Sequence, residues 1–474
     1  MKTQPKELYI LNFVSMWECF SYYGMRVLLV LFMIHEFNLT DSEAFSLYAV
    51  YTTLVELGGV FGGIIADRFL GLKRTILFGG WTIVCGHLSL IIPESQLCFY
   101  LGLGLIITGT GLFRSNIPAL IGRFYEENDP RRDAGYTLYY TGINLGGFLA
   151  ALLCGIVGEI YGWHAGFGLA AFGMILGMLV FGVCLKKQLN RDETLNPVTF
   201  KPSPIANICL FLGIVIAAPL AGLAVYSQAF IAPLFPVVIM AAIYYVCKQA
   251  KNCTQFEKKG LITIGASILF LIIFYGYEEQ IGSTLILFAE RHIDRETLFG
   301  VVPSSSLVTF NPLTILILGP LLARLLEKIT LSISLKIAMS FVFLSGAFAL
   351  LYGGSFGLPE DGMLSIAYLI GSIFLISLGE LFIGPTVYAV ASQNSPKALQ
   401  GLVMGMITLG YSLSNLFSGF LSQMMAITEE TANLSISSLS VYRDGFLLMT
   451  VFGGSIAFSL LIFNQLTKKS KVVL

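Results

Sequence analysis

Long apolar segments recur along the whole chain, and they limit what it can fold into more than any other feature. About 20 consecutive apolar residues in a helix cross the roughly 30 Å hydrocarbon core of a bilayer. The composition agrees, since 56% of the 474 residues are hydrophobic, 12% are charged and the mean hydropathy is +0.80. We therefore predict an all-α membrane protein with fourteen spans, at about residues 8–33, 44–66, 75–93, 97–121, 136–158, 164–185, 204–225, 229–248, 261–289, 304–325, 332–352, 364–391, 398–426 and 444–466.

Several other classes of protein are disfavoured. The formal net charge is +0, which argues against nucleic acid as a partner. The eight cysteines show no CxxC or zinc-type spacing, so we expect no metal and no cofactor. No phosphate loop or nucleophile elbow is present, and an enzyme is not expected. The first apolar segment lacks a small-residue cleavage site and is predicted to stay in the protein.

The basic residues indicate how the chain is oriented in the membrane. If the N-terminus is cytoplasmic, most of the 28 Lys and Arg residues fall in inner segments. Arg291, Arg295 and Arg443 fall outside, while Arg26 and Arg114 lie within spans. Such a bias is typical of cytoplasmic loops. It predicts that both termini are cytoplasmic and that the protein is multi-pass in the cell (inner) membrane.

The first apolar segment carries charges at a depth where charges are costly. Ser15, Glu18, Cys19, Tyr22 and Arg26 are spaced i, i+3, i+4, i+7 and i+11, so they share one face of a helix. A charged side chain at the centre of a membrane helix costs about 2.5–3.5 kcal/mol on insertion scales. This pattern favours a watery cavity with functional charges. The alternative is a structural ion pair that locks two helices together.

Several motifs resemble those of one transporter family. Residues 20–26, FSYYGMR, match the second half of the motif ExxERFSYYGMR, and residues 62–74, GGIIADRFLGLKR, resemble the loop motif GxxADRxxGxKR. The chain thereby resembles the proton-dependent oligopeptide transporters, a branch of the major facilitator superfamily. Further resemblances in the same order lie at residues 109–116, 139–146, 162–168, 278–283, 311–312 and 379–380.

The resemblance implies a major facilitator fold with two six-helix bundles. Twelve helices belong to that fold, and bacterial members of the family carry an additional pair between the bundles. The predicted domains are accordingly an N-terminal bundle at 1–190, a linker with two additional spans at 191–256, and a C-terminal bundle at 257–474.

The resemblance also implies a substrate site. A free dipeptide is a zwitterion, so it needs cations for its carboxylate, an acid for its ammonium and pockets for its side chains. Asn144 and Asn311 could instead hold helices together, and each tyrosine could be a core residue. The predicted site comprises Arg26 and Arg114 as cations, Glu380 as the acid, Asn144 and Asn311 as amide partners, and Tyr22, Tyr23 and Tyr140 as pocket residues.

The first-helix motif is incomplete, which bears on proton coupling. Ser15 stands where the family has Glu, and Cys19 stands where it has Arg; only Glu18 remains of the three charges. We assign proton coupling to Glu18 and to Glu56, an unusual acid in the second span. The alternatives are that coupling is lost, or that Glu56 only locks helices. A gate salt bridge is predicted between Arg26 and either Glu278 or Glu279.

These features predict a transporter of di- and tripeptides that works by alternating access, with proton symport. Its expected partners are a small peptide, protons and the lipid bilayer, and we expect a monomer. The alternative is an uncoupled or differently coupled transporter of another small zwitterion or drug. A non-transporting receptor is a third possibility.

The predicted topology can be tested with single cysteines placed near Lys187 and near Glu360 in a variant without native cysteines. Because the basic residues sort to the cytoplasmic side, an impermeant thiol reagent added to intact cells should label only the position near Glu360. Labelling near Lys187 alone would show that the topology is inverted.

Overall fold

The helices of the computed structural model occupy the predicted apolar segments. The structure describes residues 4–126, 129, 131–187, 204–228, 237, 240, 244, 248, 250–251, 253–298, 300–329, 331–356, 363–396, 399–428 and 435–469. Within these residues, 11 helices are long and apolar enough to cross a membrane. Helices Leu72–Leu90 and Gln400–Gln423 occupy two more predicted segments. The remaining segment, 229–248, lies largely outside the described residues.

The described part of the chain contains fifteen α-helices and four short β-strands. Small strands Ile293–Asp294 (β1), Glu296–Thr297 (β2), Gly300–Val301 (β3) and Leu364–Ser365 (β4) form a parallel pair, β1 with β4, and an antiparallel pair, β2 with β3. The α-helices are α1 (Lys6–Phe37), α2 (Asp41–Ile65), α3 (Leu72–Leu90), α4 (Gln96–Arg114), α5 (Asn116–Gly122), α6 (Arg132–Tyr161), α7 (Trp163–Lys187), α8 (Pro204–Ser227), α9 (Gln255–Glu278), α10 (Thr284–His292), α11 (Phe310–Lys328), α12 (Ile333–Gly354), α13 (Ile366–Asn394), α14 (Gln400–Gln423) and α15 (Ser435–Lys469).

The chain divides into two compact units by packing. Unit 1 comprises Met1–Phe32 and Tyr51–Gln228, and unit 2 comprises Met33–Val50 and Ala229–Leu474. The end of α1 and the start of α2 therefore belong to unit 2, although the rest of both helices belongs to unit 1. The boundary predicted at 190 lies outside the described residues, and the domain limits predicted at 190 and 256 stay predictions.

Glycine contacts bring the helices of unit 1 close together. A Cβ atom placed on Gly62 of α2 would lie 1.9 Å from the carbonyl oxygen of Gly111 in α4, and one on Gly79 of α3 would lie 2.7 Å from that of Gly109. Helices α2 and α3 can therefore approach the backbone of α4 only because these positions lack a side chain. This close packing places α4 beside α2 at the depth of the polar residues described below.

The loop between α2 and α3 turns sharply. After α2, residues Ala66–Leu70 form a π-helical turn, and the Gly71 N–H donates a 2.9 Å hydrogen bond to the Ala66 carbonyl. Gly71 has φ of 77°, a left-handed conformation that favours glycine. The first turn of α3 then carries Lys73 and Arg74. The signature loop recognised in the sequence is thus a tight, glycine-dependent turn.

Unit 2 holds the α1–α2 turn through a buried ion pair. Arg291 Nη1 and Nη2 donate to the two carboxylate oxygens of Asp41 at 2.6 and 2.8 Å. The Asp41 carboxylate also accepts a 3.1 Å hydrogen bond from the Ile427 N–H, and Arg291 contacts the hydroxyl of Tyr442 at 3.3 Å. The Asp41 side chain is only 6% exposed. The Asp41 carboxylate thus attaches residues 33–50 to α10 and to the segment that follows α14, and Arg291 extends the contact to α15.

Breaking this ion pair should destabilise the protein. Arg291→Met leaves a buried, unpaired carboxylate at Asp41, and we expect the free energy of unfolding to fall by roughly 3–5 kcal/mol. The measurement is unfolding of the purified protein by titration with SDS.

Two further variants make this test specific. The double variant Asp41→Asn/Arg291→Met removes both charges and should recover part of the loss. His35→Gln breaks the exposed His35–Glu290 contact, 2.8 Å long, and should change the unfolding free energy by less than about 1 kcal/mol. An equal effect of Arg291→Met and His35→Gln would contradict the assigned role of Asp41.

Candidate functional site

A polar cluster in unit 1 joins three helices at membrane depth. Arg114, in the last turn of α4, donates from Nη2 to Glu18 Oε1 of α1 at 3.0 Å. Its Nη1 lies 3.5 Å from Glu56 Oε1 of α2. Three residues selected from the sequence thus meet in one site, and one guanidinium is shared by two carboxylates.

The two carboxylates differ in their surroundings. The Glu18 side chain is 3% exposed, whereas the Glu56 side chain is 28% exposed and the Arg114 side chain 27%. The second oxygen of Glu18, Oε2, accepts a hydrogen bond from the Cys19 thiol at 3.5 Å. Glu18 is therefore enclosed by its partners, while Glu56 and Arg114 retain accessible surface where an ion or a substrate can approach.

Tyrosines of α1 extend the cluster. The guanidinium carbon of Arg114 lies 4.3 Å from the ring centroid of Tyr22, a distance typical of a cation–π contact. The guanidinium carbon of Arg26 lies 5.9 Å from the Tyr22 ring and 5.8 Å from the Tyr23 ring. Tyr22 is buried and Tyr23 is 38% exposed. Tyr22 thus lies against both cations, and Tyr23 presents a free face.

The two substituted positions of the first-helix motif are buried. Ser15 lies on the same face of α1 as Glu18, and its side chain faces the hydroxyl of Tyr139. Cys19 is also buried, with only 7% of its surface accessible. The acid and the base that the family motif carries at these positions are therefore replaced by small groups, and Arg114 provides the positive charge beside Glu18.

Asn144 and Tyr140 lie on α6 of the same unit. The Asn144 side chain donates to the Tyr140 carbonyl of its own helix at 2.9 Å. It therefore does not connect α6 to a neighbouring helix within the described residues, which leaves its carbonyl oxygen for another partner. Tyr140 is 49% exposed.

A second polar cluster lies in unit 2. Asn311, at the start of α11, donates from Nδ2 to Glu380 Oε2 and to Ser377 Oγ of α13, at 3.1 Å in each case. The Ser377 hydroxyl donates to the Ile373 carbonyl at 2.7 Å. Asn311 therefore connects two helices and also orients the Glu380 carboxylate. The contact agrees with the interpretation that Asn311 holds helices together, while its role as an amide partner of a substrate stays a prediction.

Tyrosines beside Glu380 were not predicted from the sequence. The rings of Tyr275 in α9 and Tyr411 in α14 lie 4.8 Å apart with an interplanar angle of 71°. The Tyr411 side chain also makes hydrogen bonds with Tyr275 and Tyr388, and it lies within electrostatic reach of Glu380. These three residues are far apart in the chain and carry no motif, so only the packing of α9, α13 and α14 reveals them.

The remaining predicted residues lie in both units. Arg26 belongs to unit 1, while Glu278 and Glu279 belong to unit 2, at the end of α9. Glu278 acts electrostatically on Glu380 within unit 2. The pairing of Arg26 with Glu278 or Glu279 stays a prediction. No group of three or more His, Cys, Asp or Glu side chains could hold a metal ion within the described part of the chain.

Comparison with known proteins gives consistent results. Residues 73–437 match the model of a family described as the POT family. The chain is 30% identical to the uncharacterized transporter YclF of Bacillus subtilis over 94% of this chain and 93% of that protein. It is 28% identical to dipeptide and tripeptide permease A of Escherichia coli over 97% of this chain and 92% of that protein.

Solved structures agree with these relatives. The crystal structure of the peptide transporter POT in complex with sulfate is 29% identical, with a TM-score of 0.84, and covers 98% of this chain and 95% of that one. A mutant of the peptide transporter POT in complex with alafosfalin is 30% identical, with a TM-score of 0.81, and covers 96% of this chain and 95% of that one.

Proposed function

Because the chain belongs to the POT family, we propose that it carries di- and tripeptides across the membrane by alternating access, in symport with protons. The names of its relatives, which include dipeptide and tripeptide permeases, support the substrate class. The observation that carries the proposal is the sharing of Arg114 between Glu18 and Glu56. We also propose that both termini are cytoplasmic, that the protein lies in the inner membrane and that it acts as a monomer.

The two polar clusters have the chemistry that a zwitterion requires. Arg114 has accessible surface and a planar fork of donors that suits a carboxylate. Glu380, oriented by Asn311, suits an ammonium group. We assign the peptide carboxylate to Arg114 together with Arg26, and the ammonium to Glu380. Asn144 and Asn311 serve as amide partners of the peptide, and Tyr22, Tyr23 and Tyr140 contribute to its side-chain pockets.

Proton coupling follows from competition for Arg114. In the structure, Glu18 and Glu56 both occupy donors that a peptide carboxylate would need. A proton bound to one of the two acids removes its negative charge and weakens its hold on the guanidinium. Arg114 can then bind the substrate carboxylate. The departure of the proton on the cytoplasmic side restores the competition and favours release of the peptide.

This scheme gives a role to both unusual positions. Cys19 supplies no positive charge beside Glu18, so Arg114 is the cation paired with this acid. Ser15 of α1 cannot bind and release a proton, and Glu56 of α2 supplies a second acid in its place. We propose that Glu18 and Glu56 together carry the proton, and that Arg26 pairs with Glu278 or Glu279 as a gate in the state that is closed to the outside.

The substrate assignment predicts specific losses of binding. Arg114→Ala and Glu380→Ala should each weaken dipeptide binding by about 2–5 kcal/mol, because each leaves a charge of the peptide unpaired. Amidation of the peptide's C-terminus should weaken binding to the wild type but matter little in Arg114→Ala. The measurement is calorimetric titration of purified protein with a dipeptide and its amide.

An exposed arginine provides the matched control. Arg324→Ala changes a residue at the end of α11 that makes no ion pair in the described structure, and it should bind both peptides as the wild type does. If amidation weakens binding equally in wild type and Arg114→Ala, Arg114 does not hold the carboxylate.

The coupling assignment predicts the behaviour of the two acids in liposomes. Under an inward proton gradient, the wild type should accumulate peptide above its external concentration. Glu18→Gln should only exchange peptide, independently of the gradient, because it cannot bind and release a proton. Glu56→Gln should reduce accumulation, since one competitor for Arg114 is lost. The measurement is uptake of radiolabelled dipeptide.

Glu36→Gln is the control, since Glu36 is an exposed acid at the end of α1. It should accumulate peptide normally. Brisk counterflow in a wild type that never accumulates peptide would show an uncoupled facilitator, and it would leave the peptide assignment intact.

A further inference from the structure

An apolar cavity of about 570 Å³ lies in unit 1, and its lining includes no residue of the cluster formed by Glu18, Glu56 and Arg114. Helix α4 forms its floor through Leu101 and Leu105, and helices α3 and α8 form its walls. Trp81 and Cys85 line the α3 wall, and both side chains are exposed. The volume falls within the range of about 300–1,000 Å³ that is typical of ligand pockets.

The cavity stays open because α8 is attached to α4. A Cβ atom on Gly104 of α4 would lie 2.0 Å from the carbonyl oxygen of Ala218, and one on Gly222 of α8 would lie 2.4 Å from that of Tyr100. Helix α3 also packs against α4. Helices α3 and α8 therefore both pack against α4, and a groove lies between them.

The groove offers almost no polar contact. Its side chains are aliphatic or aromatic apart from Thr82 and Cys85, and the Thr82 hydroxyl donates to the Phe78 carbonyl of its own helix at 2.7 Å. No Lys, Arg, Asp or Glu lines it among the described residues. A groove of this kind in a membrane span suits a hydrocarbon chain and not a peptide zwitterion.

Polar donors mark the groove on the α3 side. Arg74, Phe78, Trp81 and Cys85 follow the spacing i, i+4, i+7 and i+11, so Arg74 lies on the groove face of α3, one turn before the lining begins. The Arg74 side chain is exposed and makes no ion pair within the described structure. The indole N–H of Trp81, which is 41% exposed, has no acceptor there either.

We propose that this groove binds an anionic phospholipid. An acyl chain lies between α3 and α8, the phosphate binds Arg74, and an ester carbonyl accepts the hydrogen bond of Trp81. About 10 Å of helix separates Arg74 from Trp81, at 1.5 Å per residue. The long Arg74 side chain and the depth of the glycerol ester below the phosphate are compatible with that separation.

The local charge favours an anionic lipid over a neutral one. The turn between α2 and α3 carries Arg68, Lys73 and Arg74 against a single acid, Asp67. These residues lie on the side assigned to the cytoplasm, where anionic lipids attract juxtamembrane basic residues. A zwitterionic lipid could also present its phosphate to Arg74, but its cationic headgroup would be repelled by the basic turn, so a lipid with net negative charge suits this site better.

Trp81 itself can report lipid binding. In a variant with Trp17→Phe and Trp163→Phe, Trp81 is the remaining tryptophan of the three in the chain. We expect brominated phosphatidylglycerol to quench its fluorescence at lower mole fraction than brominated phosphatidylcholine, by about fivefold if one cation contributes as at a membrane surface. Arg74→Gln should abolish this difference, and Arg74→Lys should retain most of it.

Two controls separate the site from ordinary lipid contact. Arg324→Gln removes an exposed cation of α11 and should keep the preference for phosphatidylglycerol. Val215→Phe fills the groove from α8 and should reduce quenching by both lipids. Equal quenching by both lipids, or an unchanged preference in Arg74→Gln, would overturn the proposal and leave Trp81 in contact with bulk lipid only.

Native mass spectrometry on the unaltered chain gives an independent measurement. The protein released from detergent with an equimolar mixture of the two lipids should retain phosphatidylglycerol, and Arg74→Gln should not retain it selectively. This result does not depend on transport, so it stands or falls separately from the proposed function. Selective retention by both proteins would contradict the role of Arg74.

Discussion

The packing of the first helices depends on the pairing of charged side chains inside membrane spans. Arg114 lies in a span of Gln96–Gly122, and a lone guanidinium there would be costly. Glu18 and Glu56 compensate it from two other helices, at 3.0 and 3.5 Å. The requirement that these three side chains meet constrains α1, α2 and α4 to one arrangement. The glycine contacts of Gly62 with Gly111 make that arrangement possible by bringing α2 against α4.

The same requirement explains why the degenerate first-helix motif is tolerated. The family motif has two acids and one base in the first helix. In this chain Ser15 stands in place of one acid, and Cys19 stands in place of the base. Glu18 then needs a cation from elsewhere, and Arg114 provides it. Glu56 restores a second acid. The site is thus a cluster of two acids, one from α1 and one from α2, around the guanidinium of α4.

In unit 2 the acid Glu380 has a neutral hydrogen-bond partner. Glu380 has no cation at hydrogen-bonding distance among the described residues. Its carboxylate accepts a hydrogen bond from the Asn311 amide, and Tyr411 lies within electrostatic reach of it. No cation of the protein pairs with this carboxylate within the described residues, so it can pair with a cationic ligand. The tight Asp41–Arg291 pair is the opposite case, since both charges are consumed in attaching residues 33–50 to this unit.

The sequence by itself determined the all-helical membrane architecture, the positions of the spans, the family and the residues of the polar faces. Span length, helical spacing and motif order are local properties, so they can be predicted without coordinates. Only the tertiary structure decided the partners. It brought Glu56 to Arg114, connected Asn311 to Glu380, turned Asn144 back to its own helix, and collected Tyr275, Tyr388 and Tyr411. These contacts depend on which helix faces meet, and close packing at glycines distant in the chain determines that.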